Sequence, residues 1–482
     1  MKAWRGVLLL AAFAGSYDGV FAATNGLDAS FGTRGVLLIG PTPTSGIVMN
    51  RISALKVLDD GRIVIGGYVW GASDPAPQPA IGRLDADGNW DASFADHGLF
   101  VLPYGSDTAP YGGRIHNVDV FSDGSVLATG GIHQFGGYYF SCTLLIKLTP
   151  TGALANGFAP DKSGSYCFDF APPPPSICCI TNHSDGAKID SDDTFFLTSI
   201  QTNLSFGAVA HLDASGILVN TYATNGITGL PPGVHSVLLD LLPGHEVLAA
   251  GIYVSIGGDQ GFGAARLHDG GDFDTTYGVA GVASVDVQQN SNVGIIHGAR
   301  DAQDRLLLSS YAHISGEDFP YRIARLTASG LPDTAFNGNG QQAGSPGVAS
   351  LTLSGNTLYD AILGAQPLPD GHVFVVGENA KVSDSDGTFN ISLLRLNDDA
   401  SWDAGFGDAT HPGWASISIG GMANSDARPE SMSVDPRNGR IVAGIGTSDS
   451  SGKGCVGLIR VVVDRLFDSA FDEVPPMPNC PQ

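Results

Sequence analysis

The sequence predicts an all-β protein, a single β-propeller of seven blades with four antiparallel strands in each blade. A motif ending in an aromatic residue recurs at a mean spacing of about 63 residues. Each interval contains a turn followed by a short apolar run, and no segment keeps a helical period of 3.6 residues. The chain has 66 glycines in 482 residues and only 15% charged residues, which excludes a charge-rich helical protein such as a coiled coil.

The motif occurs eight times and therefore bounds seven intervals. Its final aromatic residues are Phe31, Phe94, Phe158, Tyr222, Tyr277, Phe336, Phe406 and Phe471. We expect each aromatic ring to fill the wedge between two neighbouring blades. The first copy is only half a motif, so propellers of six or eight blades remain alternatives.

Each interval also holds the elements of one blade. Segments such as DDGRIVIGG (59–67) and PDGHVFVVG (369–377) place Asp-Gly before an apolar run. Asp-Gly supplies the positive φ angles of a tight hairpin, and the run is typical of a buried strand. In the first interval we expect strands at 35–39, 51–58, 62–70 and 80–84. Four strands in each of seven intervals make a propeller.

Two charged positions accompany the motif, one eleven and one three residues before the aromatic residue. The second and third units lack both the arginine and the aspartate, having Lys147 with Ala155 and His211 with Val219. Because the same two units lose both the arginine and the aspartate, we predict that the two residues form an ion pair, for which the planar guanidinium of arginine is suited. The predicted pairs are Arg83–Asp91, Arg266–Asp274, Arg325–Asp333, Arg395–Asp403 and Arg460–Asp468.

The repeated L-D-x-S-F-G, D-G-x-[IV]-x-x-x-G and R-L-x-x-x-G patterns resemble the delta-60 repeat family, which consists of bacterial β-propeller-like repeats of unknown function. The resemblance covers residues 27 to 471, except that the second and third units lack the Arg and Asp. It implies a propeller and supplies no catalytic residue. The segment DRLFDSAFDE (464–473) is similar to a short tail at the C-terminus of some secreted bacterial proteins.

The N-terminus predicts export. Lys2 and Arg5 precede an apolar run at 7–14, and small residues precede a cleavage point after Ala22, so residues 1–22 read as a signal peptide. No later stretch has the 18 apolar residues of a membrane span. We therefore expect a secreted, periplasmic or cell-surface protein. Its propeller would occupy 23–474, with an insertion at 159–187 and a C-terminal tail at 475–482.

Six cysteines are candidates for disulfide bonds, because an even number in an exported chain favours pairing. They are Cys142, Cys167, Cys178, Cys179, Cys455 and Cys480. Six cysteines allow fifteen pairings, so the connectivity stays open, with Cys455–Cys480 the simplest pair. No Cys and His spacing matches a zinc finger.

Two groups of aspartates are candidates for a calcium site, and calcium is the one cofactor that the sequence suggests. They are Asp190, Asp192 and Asp193 in one group and Asp384 and Asp386 in the other. Carboxylate oxygens are the ligands that Ca²⁺ prefers. Aspartate is also common in hairpin turns, and a purely structural role is the alternative.

The composition and motifs narrow the function. A net charge of −24 argues against binding nucleic acid. The sequence has no G-x-S-x-G, H-E-x-x-H or Walker motif. We therefore predict a monomeric, exported, non-enzymatic protein that binds a protein or glycan ligand on a propeller face. The alternatives are a carbohydrate- or peptide-directed hydrolase or lyase with acidic residues at the channel mouth, and a structural component of the cell envelope.

Overall fold

A computed structural model gives the arrangement of most of the chain. It describes residues 27–71, 74, 76–102, 112–133, 140–168, 182–183, 186–201, 206–288, 291–293, 297–314, 321–351, 353, 360–380, 389–407, 412–417, 428–448 and 454–463. These residues form strands and turns without a helix, so none of them belongs to a helix able to cross a membrane. The predicted signal peptide and C-terminal tail lie outside this part.

The strands form seven antiparallel sheets, which we call blades 1 to 7. In chain order, the strands from the start to the end of blade 3 are β1 (Val36–Leu38), β2 (Arg51–Val57), β3 (Ile63–Val69), β4 (Gln78–Leu84), β5 (Leu99–Val101), β6 (Gly112–Val120), β7 (Val126–His133), β8 (Phe140–Leu148), β9 (Ser165–Phe168), β10 (Asn182–His183), β11 (Ala187–Ile189), β12 (Phe195–Gln201), β13 (Phe206–Leu212) and β14 (Ile227–Gly229).

The remaining strands complete blades 4 to 7. They are β15 (Val234–Leu242), β16 (Glu246–Val254), β17 (Gln260–Leu267), β18 (Val282–Gln288), β19 (Ser291–Val293), β20 (His297–Arg300), β21 (Leu306–Ile314), β22 (Tyr321–Leu326), β23 (Ala343–Ser345), β24 (Val348–Leu351), β25 (Asp360–Pro367), β26 (Val373–Ala380), β27 (Phe389–Leu396), β28 (Trp414–Ile417), β29 (Arg428–Val434), β30 (Ile441–Ser448) and β31 (Gly454–Val461).

The architecture is the predicted seven-bladed propeller with four antiparallel strand positions in each blade. Blade 1 has the order β2-β3-β4-β5, and blades 2, 4 and 6 repeat this order. In blades 3 and 5 the innermost position is shared by two short strands, β10 with β11 and β19 with β20, and β23 extends the outer edge of blade 5. The inner strand β2 contacts the inner strands β29 and β6 of both neighbouring blades. The first strand of a blade therefore faces the centre of the ring.

One expectation about the repeat is wrong. The segment at 35–39 was placed with the three strands that follow it, but β1 pairs with β31 and belongs to blade 7. Each interval between two motif aromatics therefore spans two blades. The physical reason is that the motif forms the turn between the third and fourth strands of one blade, so the fourth strand comes after the aromatic residue.

Seven apolar clusters hold the blades together, and each contains residues of two neighbouring blades. Every cluster includes one motif aromatic, as expected from the sequence. For example, Phe94 packs with Val64 and Ile81 of blade 1 and with Ile115 and Val126 of blade 2. The aromatic residues from Phe31 to Phe406 are at most 2% exposed. The seams between blades therefore form the hydrophobic core.

The inner strands bend through a repeated irregularity. The register shifts by one residue in β2, β6, β15, β25 and β29. Such a bulge bends the strand and strengthens its twist. Near it, Ser53 Oγ donates to Ile115 O of the next blade at 2.6 Å. Ser431 Oγ likewise donates to Ile52 O across the seam between blades 7 and 1.

The ring closes between the first and last strands of the described chain. The outer position of blade 7 is filled by β1, which pairs with β31. Beside this strand, Arg460 Nε donates to Asp28 Oδ2 at 2.6 Å, and Arg440 binds the same carboxylate. The prediction had paired Arg460 with Asp468, which lies outside the described residues. Arg460 binds the aspartate of the half motif that ends at Phe31, because this half motif belongs to blade 7.

Replacing Asp28 should therefore open the ring. Asp28→Asn removes the charge that two arginines share, and Asp28 is only 4% exposed. We expect a loss of about 3 kcal/mol in the free energy of unfolding, because a buried cation is left without its counter-charge. Denaturant unfolding measures this change. Asp87→Asn, at an exposed turn, is the matched control and should cost less than about 0.5 kcal/mol. Equal losses in the two variants would contradict the role of Asp28 in closure.

Candidate functional site

The structure describes one end of the propeller most completely. In an antiparallel blade, the turn between strands one and two and the turn between strands three and four emerge at the same end. We call this end the hairpin face. Its first turns lie at 58–62, 121–125, 190–194, 243–245, 301–305, 368–372 and 435–440. Many connections at the opposite end lie outside the described residues, so the candidate sites described here are on the hairpin face.

An arginine near the end of the third strand makes three contacts on this face. In blade 1, Arg83 Nε donates to Asp91 Oδ2 at 2.7 Å. The guanidinium lies over the ring of Phe94, 4.4 Å from its centroid. Arg83 Nη1 also donates to Pro150 O, in the corresponding turn of blade 2, at 2.7 Å. We call this arrangement the arginine strut, because one side chain joins its own turn, the seam aromatic and the next blade.

The arginine–aspartate pair of the strut recurs in the other units predicted to hold an ion pair. Arg266 Nε lies 2.7 Å from Asp274 Oδ2, and Arg325 Nε lies 2.8 Å from Asp333 Oδ2. Arg395 Nε approaches Asp403 Oδ2 at 3.3 Å. The guanidinium groups of Arg266, Arg325 and Arg460 lie over Tyr277, Phe336 and Phe31 respectively.

The aspartate of each strut also accepts hydrogen bonds within its own turn. Asp274 Oδ1 accepts hydrogen bonds from the backbone N–H and the hydroxyl of Thr276, while Oδ2 faces Arg266. Burial of the Asp274 carboxyl raises its pKa, but the hydrogen bonds from Thr276 and Arg266 outweigh burial and lower the pKa to about 2. The pKa values of Asp28 and Asp91 are lowered in the same way, with a serine in place of the threonine. These carboxylates therefore hold the turn and the arginine together.

Blade 2 replaces the strut with a lysine. Lys147 Nζ lies 3.8 Å from the centroid of the Phe121 ring and donates to Ala214 O of blade 3 at 2.9 Å. It thus keeps the contact with the next blade but lacks the aspartate at the motif turn, where the sequence has Ala155. Blade 2 retains the mechanical link without the ion pair.

Blade 3 replaces the strut with histidine and leaves polar groups at its seam with blade 4. His211 stacks on Phe196 with a centroid distance of 4.1 Å, and its Nε2 lies 2.9 Å from Thr194 Oγ1. Burial lowers the pKa of His211. Thr194 Oγ1 in turn donates to Asp192 Oδ1 at 2.7 Å. The hairpin of blade 3 is therefore oriented by a chain of hydrogen bonds instead of an arginine.

Three metal-ligating side chains converge at this seam. Possible ligand atoms of Asp190, Asp192 and His245 all lie within 4.8 Å of one another. His245 is in the first hairpin of blade 4, and its Nδ1 lies 2.6 Å from Asp190 Oδ2. That hydrogen bond raises the pKa of His245. Among the described residues, this is the one group of three with such geometry.

The other calcium candidates are placed differently. Asp193 turns away from the cluster and accepts hydrogen bonds from the backbone N–H and hydroxyl of Ser122, which joins blade 3 to blade 2. Asp384 and Asp386 lie outside the described residues. The sequence had indicated Asp190 and Asp192 but not His245, which comes from another blade.

The cysteine predictions stay predictions. Cys142 lies in β8, Cys167 lies in β9, and Cys455 is buried in β31. Cys178, Cys179 and Cys480 lie outside the described residues.

A recess at the seam between blades 5 and 6 is a second feature of the hairpin face. It encloses about 340 Å³, including the solvent onto which it opens. The turn at 301–305 supplies one wall and residues 367–371 supply the other. Arg305 and Arg325 line it together with the apolar side chains of Leu307 and Leu368. The recess could not be predicted from the sequence, because its two walls are more than 60 residues apart in the chain.

Comparisons with known proteins support the propeller and leave the activity undefined. The family described as "Domain of unknown function (DUF5122) beta-propeller" matches residues 58–94, the segment that contains the first hairpin and the strut of blade 1. This partial match supports a bacterial β-propeller repeat family, while the delta-60 resemblance stays a prediction. No curated protein matches the chain.

Several solved structures resemble the chain at low identity. A protein of unknown function from Dyadobacter fermentans is 11% identical, with a TM-score of 0.43 over 88% of this chain and 98% of that one. A polysaccharide lyase of family PL25, an ulvan lyase, is 10% identical, with a TM-score of 0.46 over 89% and 96%. A GH74 xyloglucanase from Xanthomonas campestris is 12% identical, with a TM-score of 0.46 over 89% of this chain and 53% of that one. Similarity at this level carries no argument about activity.

A double-mutant cycle tests the strut in blade 1. Arg83→Gln and Asp91→Asn each remove one charge of a pair whose arginine is 3% exposed. We expect a coupling energy of about 1 to 3 kcal/mol, because the two residues share one hydrogen-bonded ion pair. Denaturant unfolding of the two single variants and the double variant provides the energies. Strictly additive losses would show that the two charges act independently.

Stability should also fall in acid, because protonation removes the negative charge of the aspartates in these ion pairs. The folded pKa values of Asp28, Asp91 and Asp274 lie below the usual 3.8. Their contribution is therefore present above the unfolded pKa and is lost as the pH falls from about 4 to about 2. Thermal unfolding followed by circular dichroism should show Tm decreasing across this window. Asp274→Asn should flatten part of the decrease, and an unchanged slope would contradict its role.

Proposed function

We propose that the protein is an exported, non-enzymatic binding protein that holds its ligand on the hairpin face, at the seam between blades 3 and 4. The observation that carries this proposal is the convergence of Asp190, Asp192 and His245 at that seam. Five other blades use the same level of the propeller for an arginine paired with the aspartate of its own motif. Blade 3 has lost this strut, and its polar groups are left available to bind a ligand.

The donor set suits a divalent cation. Two carboxylates provide oxygen ligands, and an imidazole provides a nitrogen ligand. Because imidazole favours zinc and related transition metals over calcium, we expect Zn²⁺ or Mn²⁺ to bind more tightly than Ca²⁺. Thr194 and His211 would orient Asp192 behind the cation, as partners of metal ligands commonly do.

A cation at this seam would also explain how a strongly acidic protein could bind an acidic partner. The chain has 48 acidic and 24 basic residues, so its field repels anions. A divalent cation held by side chains of two blades could coordinate a carboxylate of a protein or glycan ligand in its open positions. The ligand would then be bound through the metal ion, and no proton transfer or bond cleavage by the protein is required.

Metal binding is the first test. Isothermal titration of the mature protein with Zn²⁺, Mn²⁺ and Ca²⁺ should show one site of micromolar to millimolar affinity. Asp192→Asn should weaken binding of the preferred ion at least about tenfold, which corresponds to about 1.4 kcal/mol. Asp193→Asn is the matched control, because it removes the same charge one residue further along the chain. The Asp193 carboxylate binds Ser122 and faces away from the cluster. An equal effect of both variants would show a general charge effect and would contradict the site.

Ligand capture and turnover test the rest of the proposal. Immobilised protein should retain polygalacturonate, an acidic glycan, only when the preferred metal ion is present, and Asp192→Asn should abolish the retention. The released polymer should keep its length, with neither new reducing ends nor unsaturated ends. Metal-dependent shortening of the polymer would instead support the hydrolase or lyase alternative. Binding of the metal ion without retention of any acidic polymer would favour a structural role for the ion.

A further inference from the structure

Arg325, which lines the recess between blades 5 and 6, has a guanidinium donor that the arginines of blades 1 and 7 pair within their own motif. Arg325 is 2% exposed and lines the recess. Its Nε binds Asp333 and its Nη1 binds Asp398 Oδ1 at 2.7 Å. Among the residues that the structure describes, Nη2 of Arg325 has no hydrogen-bond partner. A buried guanidinium N–H without an acceptor is costly, so this group calls for one.

A comparison between repeats explains why the donor is unmatched. In blade 1, Arg83 Nη2 donates to Ser93 Oγ at 3.3 Å. In blade 7, Arg460 Nη2 donates to Ser30 Oγ at 3.2 Å. Both serines stand directly before the motif aromatic. In blade 5 this position is Ala335, which has no acceptor. One side chain thus distinguishes the strut of blade 5 from those of blades 1 and 7.

The walls of the recess limit what could bind there. The enclosed part has room for one water-sized group. Above it, Pro367, Leu368 and Pro369 form an apolar edge, while Asp301 and Gln303 add polar groups on the opposite side. One small polar group at the base and an apolar body at the mouth would match this arrangement.

The local charge favours a neutral group over an anion. Arg305 is already bound to Asp301 at 2.6 Å and to Asp398 at 2.8 Å. Arg325 is bound to Asp333 and Asp398. Three carboxylates therefore face two guanidinium groups, and an added anion would be repelled. A hydroxyl is suited to this setting, because its oxygen accepts from the guanidinium and its hydrogen can be donated to a carboxylate.

We propose that this recess is a binding subsite for one neutral sugar residue of a glycan. A ring hydroxyl would enter the base and accept a hydrogen bond from Arg325, and the C–H face of the ring would pack on Pro367 and Pro369. This subsite is separate from the cation site at blades 3 and 4, and neither depends on the other. Replacing Ala335 by serine would supply the acceptor from within the protein and so compete with the sugar.

The experiment uses the mature protein and a panel of methyl glycosides of glucose, galactose and mannose, with methyl glucuronide as the charged counterpart. Saturation-transfer NMR and isothermal titration measure binding. At least one neutral glycoside should bind with millimolar affinity, and the glucuronide should bind more weakly. Ala335→Ser should raise the Tm of the free protein and weaken sugar binding about tenfold, the loss expected for a hydrogen bond from a charged donor.

Two further variants make the result specific to the recess. Ser93→Ala changes the same position in blade 1 and should leave the affinity for the sugar unchanged. Pro369→Ala, at the exposed edge, should weaken binding several-fold while the protein stays folded.

Three results would overturn the proposal. The first is the absence of binding by every neutral glycoside at tens of millimolar, with an ordered water as the acceptor for Arg325 in a crystal structure. The second is an Ala335→Ser variant that is stabilised but binds the sugar as before, which would place the sugar elsewhere. The third is tighter binding of the glucuronide than of its neutral counterpart.

Discussion

The contact between an arginine, a motif aspartate and the next blade is the constraint on which this propeller depends. Arg83 shows it in full, with the carboxylate of Asp91, the ring of Phe94 and the carbonyl of Pro150 in reach of one side chain. A closed ring of seven sheets must keep every seam at a similar angle, and a rigid planar group that bonds in several directions can fix that angle. Lysine in blade 2 keeps the reach to the next blade but loses the planar pairing, so that seam relies more on its apolar cluster.

The sequence predicts those parts of this network whose residues recur at a regular spacing. Seven blades follow from the spacing of the aromatics, and the partnership of Arg325 with Asp333 could be inferred because two repeats lose the arginine and the aspartate together. The partner of Arg460 could not be found by the same count. The ring is closed by a half motif at the other end of the chain. The spacing of the motifs along the sequence does not show which end of the chain supplies the outer strand of blade 7. His245 was missed for a related reason, since its contact with Asp190 joins hairpins of different blades.

Polar groups that could bind a ligand are found where a blade departs from the repeat. In blades 1 and 7 the arginine, the aspartate and the serine of the motif bind one another. The seam between blades 3 and 4 replaces an ion pair by His211 and leaves carboxylates beside an imidazole. The seam between blades 5 and 6 keeps its ion pair but loses one hydroxyl, at Ala335, and so retains a donor without a partner in the described part of the chain. At both seams, polar groups lack the pairing that stabilises the fold in other blades. Ligands should therefore be sought at these two seams first.

The acidity of the protein has a structural origin that limits its possible ligands. Many of its aspartates cap turns, as Asp85, Asp213 and Asp301 do by accepting backbone N–H groups two and four residues ahead. A repeat that builds such turns becomes acidic whatever it binds, so net charge alone identifies no partner. The net charge does limit which ligands can bind, because the hairpin face repels anions that come without a counter-ion. The two candidate sites respect this condition in different ways, one by taking up a cation and the other by accepting a neutral hydroxyl.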